Sequence, residues 1–128
     1  MRFSLLFLRF TGAASARTAT DLGDDMKTRR ELLEEFVAAD PNDSFSRYAL
    51  ALELEKERHE IEAIAQLQEV IARDPNYVPA YYHLGRVLMH MGQVEDARAV
   101  WHRGMDAASA PGDEKTRKEI QEALEALD

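Results

Sequence analysis

The stretch Met89-His90-Met91 sets two thioethers around an imidazole, and His83 stands seven residues upstream. Thioether and imidazole donors together suit Cu(I) or another soft metal. Two histidines seven apart share a helical face. Neighbouring helical residues, however, point about 100° apart, so Met-His-Met cannot close around one ion within a helix. No acid stands at a flanking ligand spacing. The plainer reading gives Met89 and Met91 to gap filling beside a helix turn and leaves the histidines to the surface. A metal site through His83, Met89 and His90 is therefore the remote alternative, and no metal or cofactor is expected.

Other chemistry is weaker still. The chain has no cysteine. It has no glycine-rich phosphate loop and no recognisable Ser/His/Asp arrangement. The acids Glu34-Glu35 and Glu53, Glu55 and Glu57 adjoin or alternate, as on a solvated helix face. Paired catalytic carboxylates need burial that such positions do not offer. The expectation is a protein that is not an enzyme.

These residues sit in a chain of 128 residues, the size of one domain. Good helix formers dominate, and glycine and proline together number ten, too few for a loop-rich sandwich. The net charge of −8 is uneven: residues 1–20 carry Arg2, Arg9 and Arg17 and no acid. The remaining 108 residues hold 13 basic and 24 acidic side chains, a net of −11. An acidic body repels nucleic acid and anionic membranes, so neither is expected as a partner. No apolar run is long enough to span a bilayer.

Residues 1–25 read as a disordered extension or a targeting leader, set apart from a domain over 26–128. A secretory signal is disfavoured because Arg9 cuts the apolar run to five residues, Ser4 to Leu8. A mitochondrial-type presequence would use the arginines with Phe3, Phe7 and Phe10 on one face. In the plainer reading Met26 is the natural start and the protein is cytoplasmic.

A repeat orders the rest. Asp-Pro-Asn occurs at 40–42 and again at 74–76, an offset of 34 residues. Leu50 then maps to Leu84, Ala51 to Gly85, Leu54 to Leu88, Ala63 to Ala97 and Leu67 to Trp101. The i, i+1, i+4 spacing of Leu50/Ala51/Leu54 and Leu84/Gly85/Leu88 marks one helical face. Small residues recur where two helices must approach closely. Proline disfavours helix at the residue before it and lacks an N–H, so Asp-Pro-Asn ends one helix and begins the next. Each unit is a helical hairpin.

This pattern resembles the tetratricopeptide repeat family, with units at 44–77 and 78–111. Tyr81, Leu84, Gly85, Leu88, Ala97, Trp101 and Gly104 fall on its signature positions, as do Leu50, Ala51, Leu54, Ala63, Leu67 and Pro75. Arg47, Val70 and Ser109 depart from it, with Pro111 two residues late. The resemblance implies an all-α, right-handed α-solenoid of two hairpins. Helices at about 27–39 and 113–127 flank them as caps, giving six in all. Leu32, Leu33, Phe36 and Val37 would form the packed face of the first, and Ile120, Leu124 and Leu127 that of the last.

The resemblance also implies a function: a non-catalytic scaffold that binds a protein or peptide in a concave groove lined by the first helices. The expected partner-binding residues are Phe45, Tyr48, Leu52, Tyr82, His83, Arg86, Met89 and His90. A subset of the family captures chaperone C-terminal carboxylates with a lysine and an asparagine on the first helix. Tyr48 and Leu52 stand at those positions here, which argues against that ligand. Self-association through the terminal helices, giving a homo-oligomer, is the alternative.

Overall fold

The computed structural model describes residues 26–128; the readings of residues 1–25 lie outside the described residues. Six α-helices follow in order: α1 Arg29–Ala39, α2 Ser44–Lys56, α3 Glu60–Arg73, α4 Val78–His90, α5 Val94–Ala107 and α6 Glu114–Leu127. A 3₁₀ turn, Pro111–Asp113, precedes α6. The starts of α2 and α4, and those of α3 and α5, are each 34 residues apart. The expected all-α solenoid is thus present, with no strand among the described residues.

The helix ends have local causes. Thr28 and Glu31 cap α1 reciprocally: the Glu31 N–H donates to Thr28 Oγ1 at 3.1 Å and the Thr28 N–H to Glu31 Oε1 at 3.0 Å. The two Asp-Pro-Asn triplets are β-turns, with the carbonyls of Asp40 and Asp74 each accepting from the N–H three residues on at 3.0 Å. Asp43 opens α2, accepting from the Ser46 hydroxyl at 2.7 Å and the Ser46 N–H at 3.2 Å. Those bonds hold its carboxyl below the usual carboxylate range. Acids occupy the first turns of α3 (Glu60, Glu62) and α5 (Glu95, Asp96), where the helix dipole favours them.

Within each hairpin the link is a Schellman turn. Leu54 C=O accepts from the His59 N–H at 2.8 Å, and Leu88 C=O from the Gln93 N–H at 2.9 Å. The residue in the left-handed conformation is Arg58 (φ 69°) in the first link and Gly92 (φ 78°) in the second.

Packing is in two layers. Each helix packs on the next, and α4 also packs on α6. One layer is therefore α2, α4 and α6, and the other α1, α3 and α5. A buried cluster runs from Ala51 on α2 through Leu84, Val87 and Trp101 to Ile120 on α6. A smaller one joins Leu33 of α1 to Leu50, Leu54 and Ala63.

The flanking helices differ from expectation in two ways. Only Leu33 of α1 is buried, with Val37 packed beside it, while Leu32 and Phe36 are 42% and 55% exposed. Helix α1 meets only α2 among its major contacts, so one narrow stripe is covered and the adjoining one is not. Helix α6, expected as an end cap, extends the α2/α4 layer. Its start lies 36 residues after that of α4. That offset carries fully buried Ile120 to the place of Leu84.

Candidate functional site

Tyr48 of α2 reaches across to α4, where its hydroxyl lies 2.8 Å from His83 Nδ1. The same nitrogen lies 3.4 Å from the Pro79 carbonyl, so Nδ1 faces two oxygens, one on each helix of the stripe. The rings meet edge to face, 5.3 Å between centroids. Tyr82 approaches the other side of His83 at 5.4 Å, and Tyr77 packs on Tyr48 at 5.4 Å. Arg86 sets its guanidinium 5.8 Å from the centre of the Tyr82 ring, a cation–π arrangement. Four aromatic rings and one cation thus form a stripe over two neighbouring helices.

Backbone order places these side chains. Tyr82, His83 and Arg86 lie within one turn of α4, which starts at Val78 with Pro79 in its first turn. Glycine at 85 lets the Trp101 indole close behind that turn, and Trp101 Nε1 donates to the Tyr82 carbonyl at 3.1 Å. The stripe is thereby held from the core side.

Burial sets the electrostatics. It is the main reason the Tyr48 phenol is pushed up to about 12. It also pushes His83 below its usual value, helped by Arg86 and opposed by the Pro79 carbonyl, Glu55 and Glu119. The neutral form of the imidazole is thereby favoured in the fold.

Of the eight expected residues, Tyr48, Tyr82, His83 and Arg86 come together. Leu52 is half-buried, whereas Phe45 is 67% exposed at the start of α2. Met89 and His90 line a cavity between α4 and α6 that Arg86 also borders. His83 is turned toward α2, so His83, Met89 and His90 do not face one point. Among the described residues no three His, Asp or Glu side chains cluster to hold a metal ion. None of the described helices is long and apolar enough to cross a membrane. The sequence reading missed Tyr77 and Glu119; the one replaces Asp43 in the repeat, and the other belongs to a helix read as a cap.

A family model for the tetratricopeptide repeat matches residues 57–110. A tetratricopeptide repeat domain protein from Salinibacter ruber, solved by NMR in solution, is 36% identical. That match covers 70% of this chain and 90% of the other, with a TM-score of 0.65. This chain belongs to the tetratricopeptide repeat family. Two more distant likenesses show the fold alone. The type III secretion translocator chaperone SycD of Yersinia enterocolitica, solved with a peptide of the translocator YopD, is 16% identical. Its match covers 77% of this chain and 76% of the other at a TM-score of 0.71. PcrH, solved with the chaperone binding region of PopD, is 15% identical, covering 77% and 74% at a TM-score of 0.73. No curated protein matches the chain. In repeats of this kind the first helices line one surface, and here those helices are α2, α4 and, by its packing, α6.

Proposed function

We propose that residues 26–128 form a non-catalytic binding module, with residues 1–25 outside it, that takes a peptide segment of a partner protein on the α2/α4/α6 face. The carrying observation is the Tyr48–His83–Tyr82–Arg86 stripe, which crosses two repeats. Tyrosine and arginine are the residue types that most often dominate binding energy. A fixed stripe also loses little side-chain freedom on binding. The distant fold relatives SycD and PcrH were each solved with a segment of a translocator, which supports a peptide as the ligand class. The test is affinity capture with the wild-type chain and with Tyr48→Ala/Tyr82→Ala/Arg86→Glu. The variant is expected to lose the partners that the wild type retains. Equal retention by both, with the variant folded by circular dichroism, overturns the reading.

A second reading rests on a different surface. Met26, Leu32, Phe36 and Phe45, all near the start of the described chain, are 73%, 42%, 55% and 67% exposed. Exposed apolar side chains of this kind, on α1 and at the start of α2, support self-association. A mass that rises with concentration, and that falls back on Leu32→Glu/Phe36→Glu, would establish it. A constant monomer mass sinks it.

A further inference from the structure

Between α4 and α6 lies a cavity of about 450 Å³ that no expected site included as a whole. Its size falls in the range of about 300–1,000 Å³ typical of ligand pockets. Met89, Trp101, Ala123 and Leu127 supply apolar walls, and Ala126 keeps one side small. Arg86 and His90 stand among them, and no carboxylate does. That is notable in a chain with eight more acids than bases. Asp128, next to Leu127, is drawn off to Arg98 at 3.2 Å. Arg86 forms no ion pair among the described residues. The Tyr82 ring is its companion and leaves the guanidinium edge free to donate.

We propose that this cavity receives one apolar side chain of a partner peptide, and that an acidic residue beside it in the partner pairs with Arg86. The proposal deepens the groove reading and rests on it, adding the chemistry of one subsite. The apolar walls are the driving term, since removing the apolar surface of a side chain such as Phe or Leu from water is favourable. The guanidinium supplies direction, because its planar fork matches a carboxylate. Arg86 favours an acid over a base at the position beside the anchor, and a wholly polar peptide gains nothing from the walls. Helix α6 is required in this scheme: without Ala123, Ala126 and Leu127 the cavity has one side only.

The experiment is an NMR titration of the full chain with two short probes, N-acetyl-Phe-Asp-amide and N-acetyl-Phe-Asn-amide. Both are expected to shift the amides of Met89, His90, Ala123 and Ala126 and the indole N–H of Trp101. An exposed pair contributes about 0.2–1 kcal/mol, so the Asp peptide should bind up to about fivefold tighter. Arg86→Gln should make the two peptides equal, and Ala126→Trp, which fills the cavity from an exposed position, should weaken both. Equal binding of the two peptides to the wild type overturns the proposal. So do saturating shifts confined to other residues, the absence of saturable shifts, and cavity shifts that follow protein concentration alone. Affinity capture separates this failure from that of the groove reading. Partners lost by the Tyr48/Tyr82/Arg86 variant but kept by Ala126→Trp leave the groove standing and remove the cavity. Partners kept by both remove the groove reading, whatever the dipeptides do.

Discussion

The hairpins α2/α3 and α4/α5 share their helix starts, their turns and their offset, yet they fill the helix crossing differently. The first pairs Ala51 with Leu67, and the second pairs Gly85 with Trp101. A Cβ on Gly85 would lie 2.1 Å from Trp101 Nε1, so the larger indole requires the smaller partner. The same exchange appears one turn away. Tyr81 packs against Gly104, where a Cβ would come within 2.7 Å of Tyr81 Cβ. The equivalent positions of the first hairpin hold Arg47 and Val70. Arg47 and Tyr81 even do the same job: each donates to the carbonyl of its own Asp-Pro-Asn proline, Arg47 Nη2 at 3.0 Å and Tyr81 Oη at 2.7 Å. Paired positions thus change size in opposite directions between the hairpins, a larger residue on one helix going with a smaller one on the other.

The largest effect should come from removing the big partner. Trp101 is 3% exposed and closes the α4/α5 crossing. Trp101→Ala is expected to cost about 3–5 kcal/mol. Leu67→Ala, its counterpart, should cost less, within the usual 2–5 kcal/mol. Urea unfolding of both variants checks the order. If Leu67→Ala proves the more damaging, the second hairpin is not the one built around its large residue.

A sharper test adds one methyl group. In an ordinary helix interior, alanine is favoured over glycine by about 0.5–1 kcal/mol. Gly85→Ala should instead destabilise by about 1–3 kcal/mol through overpacking against the indole. Pairing it with Trp101→Leu recreates the Ala/Leu pair of the first hairpin. The double variant should then be more stable than the summed single losses, because the two sites touch. Strict additivity in thermal or urea unfolding would break the comparison.

Size compensation explains what the sequence did and did not reveal. The 34-residue period was legible because every paired contact within a hairpin repeats it. Tyr81, Leu84, Leu88 and Trp101 are buried, and Gly92 turns the chain, as the period implies. Arg47 and Val70 looked like separate departures from the family pattern; they are the two halves of one exchange. The Tyr48–His83 bond was not legible. It joins positions 35 apart in different repeats, and its length depends on how the hairpins stack. Ile120 was legible as part of the packed face of its helix, but the place of α6 in the α2/α4 layer was not: the 3₁₀ turn Pro111–Asp113 shifts the offset to 36, so matching at 34 does not align Ile120 with Leu84.

The turns offer a smaller contrast. Both links need a left-handed residue, and only the second provides glycine. An L residue such as Arg58 bears a strain of about 1–2 kcal/mol there, and glycine loses about 0.5–1 kcal/mol more chain entropy on folding. Arg58→Gly is therefore expected to stabilise by about 0.5–1 kcal/mol, and Gly92→Ala to destabilise by a similar amount. Melting temperatures should move in opposite directions. Movement of both in the same direction would show that the two turns are not equivalent.

A last difference concerns pH. Position 83 in the second hairpin corresponds to Ala49 in the first, so His83→Ala makes the two alike. Tyr48 and Glu55 of α2, Tyr82 and Arg86 of α4, the Pro79 carbonyl and Glu119 of α6 surround the imidazole. Burial, foremost, lowers its affinity for a proton in the folded state. The unfolded chain titrates near the ordinary value of about 6.5. The unfolded state therefore binds more protons between the lowered folded value and 6.5, and stability must fall as pH drops through that window. Above it the neutral ring is fully compatible with the fold; below it the loss levels off. At pH 7 His83→Ala should be the less stable protein by about 0.5–1.5 kcal/mol, having lost the hydrogen bond with Tyr48. Toward pH 5 the wild type should lose stability faster, and the two curves should converge. Melting curves at pH 7, 6 and 5 read this directly, the shared carboxylates cancelling in the difference. Parallel curves would show that His83 keeps its ordinary proton affinity in the folded chain, and that the Tyr48 bond does not depend on the neutral ring.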